Sequence, residues 1–289
     1  MAEPPHVAVA ISTRDRPEAL ARCLRSLAEG RVRPAEVVVA DQSSTSETER
    51  VARAAGVSRL RARPGGLAAA QNDAVAATSA PVVAVLDDDC IADAGWIEAI
   101  ATAFADERLG FLSGPVLPLG PEAPGTHPVS TRTSRERREL DGRTLPWDAG
   151  SGNNFAVRRS WFERVGGGDE RLGPGAPGKG GLDMDLFRRL LRAGAPGLYE
   201  PEALVFHERT TTAGRLARRL PYGYGMGACC VLWMRQGDRD GLRVLGRWTA
   251  MRADRLARSL VRGRWLAVRE EALVLAGTAG GIVYGLRAG

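Results

Sequence analysis

The sequence has few cysteines and almost no lysine. Its four cysteines are Cys23, Cys90 and the adjacent pair Cys229 and Cys230. Because their spacing contains neither a CxxC metal motif nor a disulfide framework, we expect reduced thiols in a cytoplasmic protein. Lys179 is the only lysine among 40 basic residues. This bias is typical of genomic composition, so the use of arginine instead of lysine carries no argument about recognition.

Long apolar segments are also missing. Residues 1–6, before the first apolar run, have neither the basic start nor the apolar stretch of a signal peptide, so we expect that the chain is not exported. The last apolar run, 272–286, has 15 residues, whereas a helix needs about 20 to span a bilayer. We therefore expect no transmembrane helix.

The loop after the first predicted strand lacks glycine. Residues 12–16 read Ser-Thr-Arg-Asp-Arg, where a dinucleotide-binding dehydrogenase would place GxGxxG, and no Walker-type phosphate loop occurs. These absences argue against two common nucleotide-binding classes. The loops instead offer Asp41 and Asp87, whose carboxylates can accept hydrogen bonds from a base and a ribose. Arg14 or Arg63 is available to a phosphate. This combination favours a mononucleotide that carries a diphosphate.

Apolar runs and helical patterns alternate along the first part of the chain. Runs at 7–11, 37–40 and 82–86 predict buried strands, and the segments 20–27 and 47–55 between them have helical character. Alternation of strands and helices predicts a parallel sheet with right-handed crossovers. At 289 residues the chain has room for one large α/β domain and an appendage.

Three consecutive carboxylates, Asp87, Asp88 and Asp89, follow the predicted strand at 82–86. Open α/β sheets bind ligands outside the carboxyl ends of their strands, so this cluster is a candidate site. Adjacent like charges repel one another unless a cation or hydrogen-bond donors compensate them, which favours a hard divalent metal. A solvated acidic turn is the alternative explanation for the cluster taken alone.

Eight segments together resemble the successive sequence blocks of family 2 glycosyltransferases. They occur in family order over roughly residues 6–210. The segments are 12–17 (STRDRP), 38–43 (VVADQS), 65–72 (GGLAAAQN), 87–96 (DDDCIADAGW), 150–159 (GSGNNFAVRR), 173–175 (GPG), 183–187 (DMDLF) and 199–207 (YEPEALVFH).

The resemblance implies the nucleotide-diphospho-sugar transferase fold (GT-A), which is an α/β, Rossmann-like fold with a mainly parallel central sheet. Residues 1–210 would form this catalytic domain, with the nucleotide-sugar half at about 1–115 and the acceptor half at about 116–210. The implied activity is that of an inverting, metal-dependent, hexosyltransferase-like enzyme. It would move a sugar from a nucleotide-diphospho-sugar to a hydroxyl of a saccharide or lipid-linked acceptor, in polysaccharide or glycolipid synthesis.

The resemblance also implies roles for individual residues. Asp41 would face the base, Asp87 the ribose, and Asp89 would bind a divalent metal, Mg²⁺ or Mn²⁺, that bridges the diphosphate. His207, at the end of an apolar run, would complete the metal site, and a structural histidine is the alternative. The remaining residues expected to bind substrate are Thr13, Arg14, Arg63, Asn72, Asp88, Asn153 and Asn154.

Asp183 and Asp185 are the two candidates for the general base. They follow a glycine-rich loop at 166–181 and open a predicted helix, so a capping role is the alternative for either one. By the resemblance, the base takes the proton of the acceptor hydroxyl during in-line attack. The family commonly has Glu-Asp here, whereas this chain has Leu182-Asp183. This departure leaves open which aspartate is the base.

Two other functions remain as alternatives. Leu182 in place of a carboxylate is compatible with a nucleotide-sugar-binding protein that has no turnover. A sugar nucleotidyltransferase would share the sheet, but the glycine-rich first loop that is typical of that class is missing.

The C-terminal region, 211–289, differs from the rest of the chain. Residues 209–264 contain 13 arginines and three aspartates, a net charge of +10, so the remainder of the +6 chain is at −4. Every third residue in one stretch is apolar: Leu242, Leu245, Trp248 and Met251.

This pattern predicts amphipathic helices with a basic face. They would lie as a peripheral anchor on the inner face of the plasma membrane, or pack on the catalytic domain or a second subunit of a homodimer. No nucleic-acid-binding module is recognisable, so nucleic acid is not an expected partner.

Overall fold

The computed structural model describes residues 5–288 of the chain. Its strands are β1 (Val7–Thr13), β2 (Glu36–Asp41), β3 (Ser58–Arg61), β4 (Val82–Asp87), β5 (Cys90–Ala92), β6 (Phe111–Ser113), β7 (Val116–Pro118), β8 (Thr126–His127), β9 (Arg138–Leu140), β10 (Asn154–Arg158), β11 (Gly197–Tyr199), β12 (Val205–His207) and β13 (Thr210–Thr211). Its α-helices are α1 (Pro17–Ala28), α2 (Glu47–Ala54), α3 (Leu67–Ala76), α4 (Trp96–Ala103), α5 (Arg159–Arg164), α6 (Leu182–Arg192), α7 (Thr212–Arg235), α8 (Asp240–Val261) and α9 (Trp265–Arg287).

Eight strands form the central sheet, in the order β3-β2-β1-β4-β10-β6-β11-β9. Strands β1 to β4 are parallel to one another, as the alternation of strands and helices predicted. Strand β10 is antiparallel to both of its neighbours, and β9 is antiparallel to β11. The sheet is therefore mixed but mainly parallel, which confirms the predicted fold class.

Helices cover both faces of the sheet. For this reason all seven residues of β1 are buried. Successive residues of a strand point to opposite faces. Val9 and Ile11 pack with residues of α1 and α4, whereas Ala8 and Ala10 belong to the core formed with α3, α5 and α6. A parallel sheet covered on both faces requires such a continuous apolar run.

Strand β10 brings a second segment to the carboxyl edge of β4. Asn154 pairs with Leu86 in antiparallel register, so the chain enters β10 next to the point where it leaves β4. The residues just before β10, 150–153, therefore lie beside Asp87. Two small sheets flank this edge. One contains β5, β12 and β7, with His207 opposite Cys90, and the other contains β13 and β8.

The C-terminal helices pack closely on one another and on the rest of the chain. Helices α7 and α9 meet through glycines, because a Cβ atom at Gly223 or Gly281 would overlap backbone atoms of the opposite helix. None of the helices between residues 5 and 288 combines the length and the apolar character needed to cross a membrane. The predicted helical appendage is present.

The apolar residue at every third position of α8 does not mark one buried face. Trp248 is buried, whereas Leu242 is 66% exposed. A step of three residues falls about 60° short of a full turn of an α-helix, so such positions drift around its surface. The last apolar run, 272–286, lies in α9 and supplies the small residues that pack against α7.

Candidate active site

A pocket of about 150 Å³ lies at the carboxyl edge of the central sheet. Two carboxylates line it from different elements: Asp87 from the end of β4 and Asp183 from the first turn of α6. A larger groove of about 710 Å³ lies between α1, α2 and the edge of the sheet, but it holds Glu36 as its only acid. The chemistry of the smaller pocket makes it the candidate active site.

The other residues that line this pocket come from helices α3 and α6, from strand β10 and from three loops. They are Leu67, Gln71, Ser130, Ser151, Gly152, Asn153, Phe155, Pro174, Gly181, Leu182 and Leu186.

Asp183 is held in the pocket by backbone groups. Its Oδ2 accepts a hydrogen bond of 3.1 Å from the Gly152 amide, and its Oδ1 accepts one of 3.0 Å from the Met184 amide. A Cβ atom at Gly152 would lie 2.9 Å from the Cβ of Asp183, so the close approach requires glycine. Asp183 is partly exposed, which leaves its carboxylate accessible from the pocket.

Asp87 is the second acid of the pocket. Desolvation by the surrounding protein raises its pKa well above the usual range, and the neighbouring charges of Asp89 and Asp88 raise it further. The positive charge of Arg16 acts against this rise but does not outweigh it. A ligand that donates hydrogen bonds or carries positive charge would therefore be favoured next to Asp87.

Asp88 and Asp89 share a counter-charge, Arg16. The Arg16 guanidinium lies 2.8 Å from Asp88 Oδ1 and 2.6 Å from Asp89 Oδ2, and Thr13 Oγ1 donates a hydrogen bond of 2.7 Å to Asp88 Oδ2. Burial raises the pKa of Asp88 to about 6, although Arg16 and Thr13 act against it. The end of β1 thus holds the acidic turn in place.

Asp89, Cys90 and His207 form a cluster whose potential ligand atoms all lie within 4.8 Å of one another. Asp89 Oδ1 is buried, accepts no hydrogen bond, and lies 3.4 Å from His207 Nε2. His207 Nδ1 is 2.7 Å from the Glu208 carbonyl. Since a carbonyl only accepts, Nδ1 carries a proton, and in the neutral imidazole the lone pair of Nε2 faces Asp89. An unpartnered carboxylate oxygen beside a free imidazole nitrogen fits a divalent metal.

Asn153 and Asn154 differ in their surroundings. Both polar side-chain atoms of Asn153 are buried without a hydrogen-bond partner, although the residue lines the pocket. Asn154 instead joins three parts of the fold. Its Oδ1 accepts from Trp96 Nε1 at 2.9 Å, and its Nδ2 donates to the carbonyls of Pro115 and Ala203, both at 2.8 Å.

Asp41 is at the end of β2, as expected, but does not line the pocket. It is fully buried, and it accepts hydrogen bonds from the Ser43 amide at 2.8 Å and from Arg59 at 2.8 and 3.0 Å. Burial alone would raise the pKa of Asp41, but these donors outweigh it and lower the pKa. Both of its oxygens are engaged within the protein.

Six other residues expected to bind substrate also lie outside the pocket. Thr13, Asp88 and Asn154 make the contacts given above, and the remaining three are Arg14, Arg63 and Asn72. Arg14 is an exposed side chain next to Asp15. Arg63 pairs with Asp73 at 2.7 Å and with Glu170 at 2.8 Å. The Asn72 side chain exchanges two hydrogen bonds with the backbone of Gly168, and thereby joins α3 to the glycine-rich loop.

Asp185, the second candidate for the base, points away from the pocket. It is 2% exposed and accepts hydrogen bonds from Arg189 and from Trp233 of α7. Burial raises its pKa, although Arg189 and Trp233 act against this effect. The structure therefore brings only Asp183 of the two to the pocket.

Sequence reasoning missed Gln71, Ser151, Arg16 and Cys90. Gln71 lies four residues after Leu67 on the same helical face, and both line the pocket, whereas Asn72 lies on a different face from Leu67. For Ser151, Arg16 and Cys90, no local sequence pattern distinguishes the site residue from its neighbours. Their positions depend on strand pairing between distant segments.

The sequence matches the family model described as glycosyl transferase family 2 over residues 8–166. A pre-mycofactocin glycosyltransferase of Mycobacterium tuberculosis (strain CDC 1551 / Oshkosh) is 31% identical over 188 residues, which cover 62% of this chain and 37% of that protein. An N-acetylglucosaminyl-diphospho-decaprenol L-rhamnosyltransferase of the same strain is 39% identical over 97 residues, which cover 34% of this chain and 29% of that protein. The matched regions thus span little more than a third of the first relative and less than a third of the second.

Two solved structures resemble most of the chain. The mannosyltransferase PcManGT from Pyrobaculum calidifontis, in complex with GDP-Man and Mn²⁺, superposes with a TM-score of 0.64 at 16% identity, covering 96% of this chain and 87% of that one. GalNAc-T7 with UDP, GalNAc and Mn²⁺ gives a TM-score of 0.56 at 19% identity, covering 72% of this chain and 44% of that one. At these identities the likeness concerns the fold alone.

Proposed function

The chain belongs to glycosyl transferase family 2 and has the GT-A fold, and from this we propose that it transfers a sugar from a nucleotide-diphospho-sugar donor to a hydroxyl acceptor. One observation carries the proposal. Asp183 and Asp87 line one pocket at the carboxyl edge of the sheet, next to the cluster of Asp89 and His207. GDP-Man and UDP in the similar solved structures support a nucleotide-sugar as the donor.

Asp183 is the general base in this proposal. The acceptor oxygen forms a bond to the anomeric carbon while the bond from that carbon to the diphosphate oxygen breaks. The electron pair of the broken bond leaves with the nucleoside diphosphate, and the hydroxyl proton passes to the Asp183 carboxylate. Attack opposite to the leaving group inverts the anomeric carbon. The amides of Gly152 and Met184 fix the orientation of the carboxylate, which is what a positioned base requires.

Asp89 and His207 would hold a divalent cation, Mg²⁺ or Mn²⁺. When bound, it acts as a Lewis acid for the negative charge that develops on the diphosphate leaving group. The unpartnered oxygen of Asp89 and the Nε2 of His207, which offers a lone pair in the neutral imidazole, support this assignment, as does Mn²⁺ in the two solved structures. Asp87 would bind the ribose, and Asn153 a hydroxyl of the sugar.

The first experiment is a thermal-shift and turnover screen. Purified protein is tested with UDP-, dTDP- and GDP-sugars and with Mn²⁺ or Mg²⁺, as wild type, Asp89→Ala and Asp183→Asn. We expect metal-dependent nucleotide binding that is lost in Asp89→Ala. Donor turnover, including slow hydrolysis, should be lost in Asp183→Asn while binding persists. Asp106→Asn serves as a control, because Asp106 pairs with Arg108 outside the site.

The outcomes separate the classes of function. Binding without turnover in wild type, with every acceptor tried, would contradict the transferase proposal and favour a nucleotide-sugar-binding protein. Activity retained in Asp183→Asn would contradict the role of the base. If no nucleotide changes the melting temperature or is turned over, the proposed donor class is wrong.

We further propose that the protein acts at a lipid surface, on a lipid-linked acceptor in polysaccharide or glycolipid synthesis. The connection between α8 and α9 exposes Val261 to 88% and Trp265 to 68%. The exposed arginines Arg262 and Arg264 lie between these two apolar residues. Apolar side chains surrounded by arginine suit a membrane interface with anionic headgroups. One relative is named for a diphospho-decaprenol acceptor, which supports this class.

Vesicle sedimentation tests the lipid surface. Wild type should sediment with vesicles of phosphatidylcholine and phosphatidylglycerol more than with phosphatidylcholine alone, and salt should weaken the binding. The double variant Val261→Ser/Trp265→Ser should lose most of it. Val32→Ser, an exposed apolar residue elsewhere, should bind as wild type does. Equal binding by the double variant would contradict the proposed surface.

A further inference from the structure

Helix α7 contacts the first turn of α6, the turn that presents Asp183 to the pocket. Trp233 Nε1 donates a hydrogen bond of 2.8 Å to Asp185 Oδ1, and Cys229 Sγ donates one of 3.4 Å to the Gly181 carbonyl. From these contacts we infer that α7 sets the position of Asp183, with Trp233 and Asp185 as positioning residues. The inference rests on the proposed role of Asp183 as the base.

Asp183 and Asp185 are two residues apart on one helix, and this spacing directs their side chains to different sides of the helix. Successive residues of an α-helix are about 100° apart, so these two side chains diverge by about 200°. One points into the pocket, and the other points at α7. Any rotation or shift of the first turn that breaks the contact to Trp233 would therefore move Asp183 as well.

Asp185 is also tied to the glycine-rich loop. Its Oδ2 accepts a hydrogen bond of 2.7 Å from Arg189 Nε. Arg189 in turn donates to the carbonyls of Val165 and Gly167, at 2.6 and 2.7 Å. Asp185 is thus the junction of α6, α7 and the segment that leads to the pocket. With both oxygens engaged and 2% exposure, it has no access to a substrate.

The backbones of the two elements meet without side chains between them. Gly181 has a positive φ of 80°, and a Cβ atom there would lie 2.6 Å from Cys229 Sγ and 2.9 Å from the Gly225 carbonyl. A Cβ atom at Gly180 would lie 2.6 Å from the Pro221 carbonyl. Backbone packed directly on backbone has no rotamers that can absorb a displacement. A shift of α7 is therefore transmitted to the start of α6.

The donor side of the pocket has different supports. Asp87 ends β4, which pairs with β1 and β10, and the next residues, Asp88 and Asp89, contact Thr13, Arg16 and His207. None of these elements is α7. Loss of the contact between Trp233 and Asp185 should therefore affect the chemical step and leave donor and metal binding unchanged.

The test compares Trp233→Phe with Trp248→Phe. Trp248 is a matched control, because it is similarly buried and donates a hydrogen bond of 3.0 Å to Thr278 of α9, whereas that of Trp233 goes to α6. Each variant is assayed with the UDP-, dTDP- or GDP-sugar that wild type turns over, in Mn²⁺. We expect kcat to fall about tenfold or more in Trp233→Phe, with the donor KM unchanged. Trp248→Phe should keep the wild-type kcat.

Hydrogen exchange gives a readout that does not depend on turnover. The amides of Met184 and Asp185 should exchange faster in Trp233→Phe than in Trp248→Phe or wild type. If Trp233→Phe does not fold, Cys229→Ala takes its place. This milder change removes the bond to Gly181, and it should lower kcat about threefold and also accelerate exchange at the start of α6.

The inference and the proposed function can fail separately. If Asp183→Asn keeps its activity, the proposed base is wrong. If Asp183→Asn is inactive but Trp233→Phe has the kcat and exchange of wild type, only the inference is overturned. Equal losses of kcat in Trp233→Phe and Trp248→Phe would also overturn it, because they would reflect general destabilisation.

Discussion

Asn153 and Asn154 are adjacent in sequence, but their side chains are expected to have opposite effects on stability. The amide of Asn153 is buried beside the pocket with no partner, whereas the amide of Asn154 makes three hydrogen bonds. A buried polar group without a partner costs free energy, and removing a satisfied one leaves its partners unpaired. At a pocket, a buried amide without a partner is expected where a bound ligand completes its hydrogen bonds.

We predict different effects for the two alanine variants. Asn153→Ala should leave the free energy of unfolding within about 1 kcal/mol of wild type and raise the donor KM about tenfold, because a ligand contact is lost. Asn154→Ala should lower the free energy of unfolding by about 3 kcal/mol, since Trp96 Nε1 and two carbonyls lose their partner. Urea denaturation and donor kinetics measure both. A strongly destabilised Asn153→Ala would contradict the assignment.

The sequence predicted this pair but could not separate its members. Small and amide-bearing residues before a strand indicate a close approach to a ligand, and this holds for both asparagines. The groups that engage Asn154 belong to Trp96, Pro115 and Ala203, which are distant in sequence. The same limit applies to Asp183 and Asp185. Only packing against α7 shows that one of them faces the pocket.

Glycine, rather than leucine, forms the contact between α7 and α9. A Cβ atom at Gly281 would overlap the carbonyl of Tyr224, and one at Gly277 would overlap the carbonyl of Leu220. Apolar periodicity does not reveal such a face, because glycine adds nothing to it. The sequence therefore predicted the presence of these helices and of their arginines, but not which side of each helix is buried.

Two glycine variants test this contact. Gly281→Ala should destabilise the protein by about 2 kcal/mol or more, because the helices must separate to admit the methyl group. Gly246→Ala is the matched control, since that glycine lies inside α8 with nothing within 4 Å of the added atom. It should stabilise the protein by up to about 1 kcal/mol, through helix propensity. Thermal and urea denaturation measure the change in stability of each variant. Equal effects of the two substitutions would contradict the close contact.

The whole chain shares a core across the boundary that the sequence suggested near residue 210. Leu172 and Met184 of the first part pack in one cluster with Met226, Trp233 and Trp248 of the helices. Arg188 of α6 also pairs with Asp238 at 2.8 Å, and both side chains are buried. Such contacts couple the stability of the two parts.

We predict that the full chain unfolds in one cooperative transition. Tryptophan fluorescence and far-ultraviolet circular dichroism should give coincident urea curves, because Trp96 reports on the central core and Trp233 on the helices. Two separate transitions would show that the helices are an independent domain. Truncation after residue 210 should expose Leu172 and Met184 and make the remaining fragment prone to aggregate.

The central sheet was predictable because its strands are short, apolar and separated by helices, so local pattern and global fold agree.

The charge of the C-terminal region was less informative. Several arginines that gave 209–264 its positive charge pair with acids just beyond that segment: Arg215 and Arg219 with Glu270, and Arg252 with Glu271. The basic surface is therefore smaller than composition indicated, although it includes exposed arginines along α8 and at the connection between α8 and α9.

The contact of Gly180 and Gly181 with Gly225 also limits how this protein can be engineered. A fusion that replaces the C-terminal helices with another anchor would have to keep the part of α7 from Pro221 to Trp233, because no side chain on either partner can be redesigned to restore the fit. A graft that starts at residue 211 would remove this contact together with Trp233 and Trp248, which cover Leu172 and Met184, so its product should aggregate.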